Sequence, residues 1–190
     1  MIVVGILAPG VSGASATGVS ATGVSVAEIA RRVAATGART EVVGVAPLAD
    51  PGDRQLGKLA MAHVGHATVT RSAANGVEPA DLELALRYLP EVRVIALVAP
   101  PAPLLGTAIA ASSWSGAALI VVGPLDADGA ALLAASSPGP GWPIVLEPPA
   151  RDPDAAFAGV IAALAVRLDA GEDPAAAWRS TLAALAIDPA

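Results

Sequence analysis

Five short apolar runs alternate along the chain with longer runs of helical character. The apolar runs are rich in Val, Ile and Leu, are bounded by Gly or Pro, and span Ile2–Leu7, Glu41–Val45, Arg93–Val98, Ala118–Val122 and Pro143–Leu146. Strands that alternate with helices indicate an α/β domain with a mainly parallel sheet. Unbroken apolar strands are typical of a sheet that helices cover on both faces. The sequence therefore predicts one three-layer α/β domain over residues 1–190.

The predicted helices carry recognisable start and stop signals. Ser25 and Glu28 have the spacing of a capping box. Asp152-Pro153 and Asp173-Pro174 each read as an N-cap followed by a proline at the first helical position. Gly37 is placed to end the first helix with a positive φ. The expected helices lie at about 26–36, 54–64, 79–89, 103–114, 127–136, 153–168 and 174–186.

The composition excludes several classes of function. Hydrophobic residues make up 54% of the chain but aromatic residues only 3%, so the core must be built from small and aliphatic side chains. The net charge is −6 and Lys58 is the single lysine, which leaves no basic stripe for nucleic acid. The absence of cysteine excludes disulfides, thiolate metal sites and cysteine nucleophiles.

The apolar segments do not predict a membrane protein. The longest uncharged apolar run inside a helix, Ala155–Val166, is shorter than the ~20 residues that a bilayer requires. The apolar N-terminus lacks a cationic region, so it reads as a first strand and not as a signal peptide. We therefore expect a cytoplasmic protein.

A Gly-, Ser- and Thr-rich segment, Gly10–Ser25, precedes the first predicted helix. It contains a direct repeat in which Ser15–Val19 is followed at once by Ser20–Val24. One interpretation is a slippage duplication in a loop. The other is a loop before a helix N-terminus that binds an anion or sugar hydroxyls. The segment lacks the Gly-Lys-Ser/Thr ending of a phosphate-binding P-loop.

Two aspartates are candidates for chemistry. Asp50 follows the strand Glu41–Val45, and ligands of open α/β sheets bind at the carboxyl ends of strands. The alternative is that Asp50 makes a turn and Asp53 caps the next helix. Asp154 has the residue type of a general base for a substrate hydroxyl. The alternative is that Asp154 stabilises the first turn of a helix through its dipole.

The remaining polar and aromatic residues give weaker signals. His63 and His66 lie three residues apart, but we expect Gly65 to end their helix, and they lack a matching carboxylate, so no metal site is predicted. Trp114, Trp142 and Trp178 are scattered and are expected to pack in the core or at an interface.

Several landmarks occur together in an order that resembles a known family. They are Thr22–Ala38, Asp50–Gly57, Val69–Arg71, Asp154–Gly159 and Ala170–Ala177. In this order they resemble the ribokinase-like (PfkB-type) sugar and nucleoside kinases. That resemblance implies a Rossmann-like sheet with helices on both faces.

The resemblance also implies an activity and a site. The activity is transfer of the ATP γ-phosphate to a hydroxyl, with Mg²⁺ and ATP as cofactors. Asp154 matches the catalytic base, and Arg151 stands in the anion site that precedes it. The substrate-binding positions that it implies are Gly18, Gly23, Ser25, Glu28 and Asp50.

The chain departs from the family pattern where chemistry takes place. Arg151, Asp152 and Pro153 replace the Gly-Ala-Gly whose amides form an anion hole. Proline removes one N–H, and Asp152 adds a negative charge beside a developing negative charge. Glu28 replaces a sugar-binding asparagine, and there is no room for the usual β-lid. We therefore expect a protein that binds a small polar metabolite or acts as a partner subunit, with weak or no phosphotransfer. We also expect it to form a homo-oligomer or to join a partner.

Two alternatives belong to other classes. Gly18–Ser25, Asp50–Lys58, Gly129–Ala134 and Arg167–Gly171 are similar to motifs of the nicotinate-nucleotide–dimethylbenzimidazole phosphoribosyltransferases, which implies a role in cobalamin lower-ligand assembly. The other alternative is a non-catalytic structural oligomer held together by Ala-rich helices.

Overall fold

Six parallel strands form a single sheet in the computed structural model. The structure describes residues 1–7, 24–46, 48, 50–72, 77–136, 143–150, 152 and 155–184. The strand order is β3-β2-β1-β4-β5-β6, and every pairing is parallel. The strands are β1 (Ile2–Leu7), β2 (Thr40–Ala46), β3 (Val69–Arg71), β4 (Val94–Val98), β5 (Ala118–Val122) and β6 (Ile144–Leu146).

Helices separate the strands and cover both faces of the sheet. They are α1 (Val26–Ala35), α2 (Asp50–Met61), α3 (Pro79–Tyr88), α4 (Ala102–Ser115), α5 (Ala127–Ser136), α6 (Ala156–Asp169) and α7 (Pro174–Ala184). One apolar core lies between the sheet and α1, α2, α6 and α7. A second core lies between the opposite face and α3, α4 and α5. This is the three-layer arrangement that the sequence predicted.

The central strands alternate their side chains between the two cores. In β4, Val94, Ala96 and Val98 join the first core. Ile95 and Leu97 of the same strand join the second core. All five residues are buried, as expected for a strand inside a doubly covered parallel sheet. This burial explains why these strands appear in the sequence as continuous apolar runs.

The direction of winding reverses between β1 and β4. From β1 the chain moves outward to β2 and β3, and then it returns to β4 and moves the opposite way to β5 and β6. The helices of the outward crossovers from β1 to β3, α1 and α2, lie on one face, and α3, α4 and α5, which carry the chain from β3 to β6, lie on the other, as right-handed crossovers require. In folds of this kind ligands bind at the carboxyl ends of the strands beside such a reversal. This edge of the sheet is therefore the place to examine for a site.

The long helix α6 is antiparallel to the strands. Its last residue, Asp169, accepts a hydrogen bond of 2.7 Å from the Met1 ammonium at the start of β1. The Asp169 carbonyl oxygen also accepts from Arg93, which precedes β4, at 3.2 Å. The C-terminus of α6 thus lies at the amino edge of the sheet. Its N-terminus consequently lies at the carboxyl edge, beside the reversal.

The predicted elements agree with the structure except for three of them, β3, α2 and α6. Strand β3 was not predicted as a strand, because its three residues are only partly buried and give no apolar run. Helix α2 begins at Asp50 and not at about residue 54, so Asp53 lies inside the helix and does not cap it. Helix α6 begins at Ala156, so Asp152-Pro153 is not its N-cap and first position. None of the described helices is both long and apolar enough to cross a membrane.

Gly37 confirms the predicted end of α1. It has φ +86° and its amide donates to the Ala34 carbonyl oxygen at 2.9 Å. A Cβ added at Gly37 would meet no heavy atom within 4 Å. The same is true of Gly57, which lies inside α2 with ordinary helical backbone. The two glycines thus differ in backbone conformation while sharing open surroundings.

This pair gives a matched test of the backbone. Gly37→Ala should lower the free energy of unfolding by about 1 kcal/mol, because an alanine is strained at positive φ. Gly57→Ala should raise it by about 0.5–1 kcal/mol, because alanine is the better helix former. Urea titrations followed by circular dichroism would measure both changes. Shifts of the same sign in the two variants would contradict the positive φ at Gly37.

Candidate functional site

The N-terminus of α1 carries two of the predicted substrate-binding residues. Ser25 caps the helix, and its Oγ accepts from the Glu28 amide at 3.4 Å. The serine half of the predicted capping box is therefore confirmed. The Glu28 carboxylate turns instead to the guanidinium groups of Arg31 and Arg32, and its bond from Arg32 Nε is 2.8 Å long. Glu28 is thus already neutralised by two arginines on its own helix.

Arg32 links α1 to α6. Its Nη1 lies 3.4 Å from the position that a Cβ would occupy at Gly159. Glycine at that position therefore lets the guanidinium approach the α6 backbone closely. A larger side chain at position 159 would press on this guanidinium, which also bonds to the Glu28 carboxylate. Sequence reasoning missed it because neither residue has a recognisable motif by itself.

The Asp152 carboxylate caps the N-terminus of α6 by accepting hydrogen bonds from its first amides. Its Oδ1 accepts from the Ala156 amide at 2.8 Å, and its Oδ2 accepts from the Phe157 amide at 3.1 Å. Its carbonyl oxygen accepts from the Ala155 amide at 3.2 Å. Free amides at a helix start, together with the helix dipole, are what bind a phosphate. At α6 these donors are held by a carboxylate of the chain itself.

Other helix starts at the carboxyl edge are closed in similar ways. At α5, Asp126 Oδ1 accepts from the Gly129 amide at 2.7 Å. At α4, Pro101 is the N-cap and Pro103 follows in the first turn, so two N–H donors are missing from this start. At α3, Asp81 Oδ2 accepts from the Glu78 amide at 3.3 Å. Among the described residues, this edge therefore offers little for a phosphate to bind.

Two alanines at the carboxyl edge have left-handed backbone. Ala99, directly after β4, has φ +46°, and Ala155, directly before α6, has φ +50°. Such a conformation costs an alanine about 1 kcal/mol. Ala99 is held in place by a 2.7 Å bond from its amide to the Val122 carbonyl oxygen. Both residues lie beside the reversal, but His63 and Glu91 share this conformation away from it, so positive φ does not by itself locate a site.

The other predicted site residues fall at or outside the limits of the description. Gly18, Gly23, Arg151 and Asp154 lie outside the described residues. Asp50 begins α2 at the carboxyl edge, after β2, where the sequence placed it. The nearby Asp53 forms an ion pair with Arg71, which joins α2 to β3. The structure thus brings Ser25, Glu28 and the start of α2 to one edge, together with the N-terminus of α6.

The two histidines do not lie on a helix. Helix α2 ends at Met61 and not at Gly65 as predicted, and His63 follows it with φ +56°. His66 Nδ1 is 3.0 Å from the Val64 carbonyl oxygen. Gly65 forms a bridge with Glu41, whose carboxylate accepts from the Ala67 amide at 2.9 Å. Within the described ranges no group of three or more His, Asp or Glu residues is arranged to hold a metal.

Comparison with solved structures gives the fold a name. A protein crystallised as Sa239 matches with a TM-score of 0.60 at 15% identity, over 89% of this chain and 82% of that one. The tetrameric inhibited form of phosphofructokinase-2 from Escherichia coli matches with a TM-score of 0.56 at 12% identity, over 83% and 79% of the two chains. A PfkB protein from Polaromonas sp. JS666 matches with a TM-score of 0.55 at 12% identity, over 85% of each chain.

The chain has the ribokinase-like fold. This confirms the family resemblance at the level of architecture, since identities of 11–15% bear on the fold alone. No protein-family model and no curated protein matches the sequence. The resemblance to phosphoribosyltransferases finds no support among these neighbours. The phosphofructokinase-2 from Escherichia coli has also been solved in complex with fructose-6-phosphate.

The role of Asp152 can be tested against a second helix start. Asp173 caps α7 in the ordinary way, with its Oδ1 3.1 Å from the amides of both Ala175 and Ala176. Asp152→Ala and Asp173→Ala should each lower the free energy of unfolding by about 0.5–2 kcal/mol, since both remove a capping carboxylate. Only Asp152→Ala should then gain additional stability from millimolar inorganic phosphate, because its freed amides lie at the proposed site.

Thermal melts with and without phosphate would measure these effects. The native protein serves as the baseline, and Asp173→Ala reports the loss of a helix cap away from the site. An Asp152→Ala variant as stable as the native chain would show that the carboxylate does not hold the α6 amides in solution.

Proposed function

We propose that this chain binds a small polar metabolite at the carboxyl edge of its sheet and acts as a binding or partner subunit with weak or no phosphotransfer. The ligand would lie near Gly18–Ser25, Asp50 and Asp154. The ribokinase-like fold supports the location, because its strand reversal opens at this edge. We also propose that the protein is cytoplasmic and that it forms a homo-oligomer or joins a partner subunit.

The observation that carries the proposal is the Asp152 carboxylate on the first amides of α6. The amides are those of Ala156 and Phe157. By its resemblance to the ribokinase-like kinases, α6 corresponds to the helix that begins at the phosphoryl-transfer site. A γ-phosphate placed there would meet a carboxylate where it needs N–H donors, and like charges in close contact repel. The described residues therefore do not fit Mg²⁺ and ATP at this helix start, and we derive no reaction step through them.

The same reasoning bears on the ligand. The described starts of α3, α5 and α6 are each closed by a carboxylate, and prolines close α4. Free amides at helix starts are one of the main ways in which an α/β protein binds phosphate. Hydroxyl groups, in contrast, bind to carboxylates and serine side chains as well as to amides. We therefore propose that the ligand carries hydroxyl groups and no phosphate, unlike the fructose-6-phosphate bound to phosphofructokinase-2.

A paired ligand screen tests the proposal. Sugars and nucleosides would be compared with their own phosphate esters and with Mg²⁺-ATP, using thermal melts of the purified full chain. At least one unphosphorylated compound should raise Tm saturably, since a ligand at 100 times its Kd stabilises by about 2.7 kcal/mol. Its phosphate ester should bind at least tenfold more weakly. ATP consumption should remain at background with every compound.

Two outcomes would reject the proposal. ATP turnover that disappears in Asp154→Asn would show a working kinase with Asp154 as its base. A chain that no nucleotide or sugar stabilises, with a sedimentation mass well above the monomer, would instead support the structural oligomer.

A further inference from the structure

An apolar groove lies at the opposite edge of the sheet from the proposed metabolite site. It has a volume of about 240 Å³ and is half open to solvent. It lies where α3 and α4 end and β4 begins. Its lining residues are Leu86, Leu89, Glu91, Val92, Ile95, Ala111, Trp114 and Ser115. The groove belongs to the face of α3 and α4, whereas α1 and α6 lie on the other face.

One exposed aromatic residue lines this groove and a second lies in the helix that borders it, in a chain that has few aromatic residues. Trp114 forms part of its lining and is 64% exposed. Tyr88, the single tyrosine of the sequence, ends α3 next to the groove and is 79% exposed. Exposed Trp and Tyr beside an apolar depression are typical of binding surfaces, because they bury a large area at small entropic cost.

The electrostatics of the groove favour a cation. Glu91 is its one charged lining residue, and no hydrogen bond or ion pair of the Glu91 carboxylate occurs among the described residues. The Met1 ammonium donates to the Glu91 carbonyl oxygen at 3.2 Å but forms its ion pair with Asp169. Arg87 is paired with Glu83. Helix α4 ends at the groove with no basic residue in its last turn, so its negative dipole end is not compensated.

We propose that the groove binds a small organic cation, an ammonium group on an apolar body. Leu86, Leu89 and Ile95 would contact the apolar body. The Glu91 carboxylate and the face of the Trp114 indole would attract the ammonium group, the second through a cation–π interaction. The volume suits a ligand of about ten non-hydrogen atoms at the density of protein interiors. A second copy of the chain is a poorer occupant, because each copy carries a net charge of −6.

Three probes of similar size and different charge test the proposal. Phenethylamine is cationic, 2-phenylethanol is neutral and 3-phenylpropionate is anionic at pH 7. Binding to the full chain would be followed by two-dimensional NMR of ¹⁵N-labelled protein. We expect phenethylamine to shift the amides of Leu89, Glu91 and Ser115 saturably, with a Kd at least tenfold lower than that of 2-phenylethanol. The propionate should bind more weakly than either.

Two variants with a matched control give the result its cause. Glu91→Gln keeps the shape of the side chain and should bring the Kd of phenethylamine to within about threefold of that of 2-phenylethanol. Asp128→Asn removes an exposed carboxylate from α5 outside the groove without releasing a paired arginine, and it should leave the preference intact. Trp114→Leu should weaken phenethylamine more than 2-phenylethanol, since leucine retains apolar contact without a π face.

Several results would overturn the proposal. Equal affinity for the three probes would show an apolar groove without charge selectivity. A tenfold preference that survives Glu91→Gln would place the cation elsewhere. Shifts at the carboxyl edge in place of the groove would assign the probe to the metabolite site. Amide shifts of the groove residues that change with protein concentration, in the absence of any probe, would show that a second copy of the chain occupies the groove.

Discussion

Burial of the parallel sheet on both faces is the constraint on which the rest of the structure depends. Because β4 gives alternate side chains to two separate cores, neither layer of helices can be removed without exposing half of the central strands. The same constraint fixes the site. Each helix must return the chain to the amino edge of the sheet, so every helix that follows a strand begins at the carboxyl edge. The starts of α1, α4 and α6 therefore all lie at that edge because of the topology, whatever residues they carry.

The chain fills two of these helix starts with its own carboxylates. Helix dipoles at the carboxyl edge of an α/β sheet attract anions, and the common use of that attraction is to bind phosphate. Here Asp126 and Asp152 supply the anion from within the chain. The carboxylates stabilise the helices that they cap, and they accept hydrogen bonds from amides that would otherwise be free to bind an anion. Under the proposed function, the same residues would both stabilise the helices and disfavour a phosphorylated ligand.

The sequence predicted the layers of the fold better than the details of the site. Strands such as Ala118–Val122 are fully apolar and bounded by clear breakers, so their positions were predicted to the residue. Strand β3 could not be predicted in this way, because a short edge strand needs few apolar side chains. The start of α6 was predicted too early, because Asp152-Pro153 has the composition of an N-cap and first helical residue. The Asp152 side chain does cap the helix, but it lies four residues before Ala156, where the helix begins. Contacts between distant segments, such as Arg32 against Gly159, leave no local pattern to read.

The brevity of the two outermost strands limits how copies of the protein can associate. Strands β3 and β6 have three residues each, so a neighbouring chain finds few free backbone groups with which to extend the sheet. Growth of a continuous intermolecular sheet, the usual route to fibrous aggregates, therefore has almost no template at these margins. Among the described residues, the helical surfaces offer more area for an ordered assembly, and there side-chain shape and charge decide which partner fits.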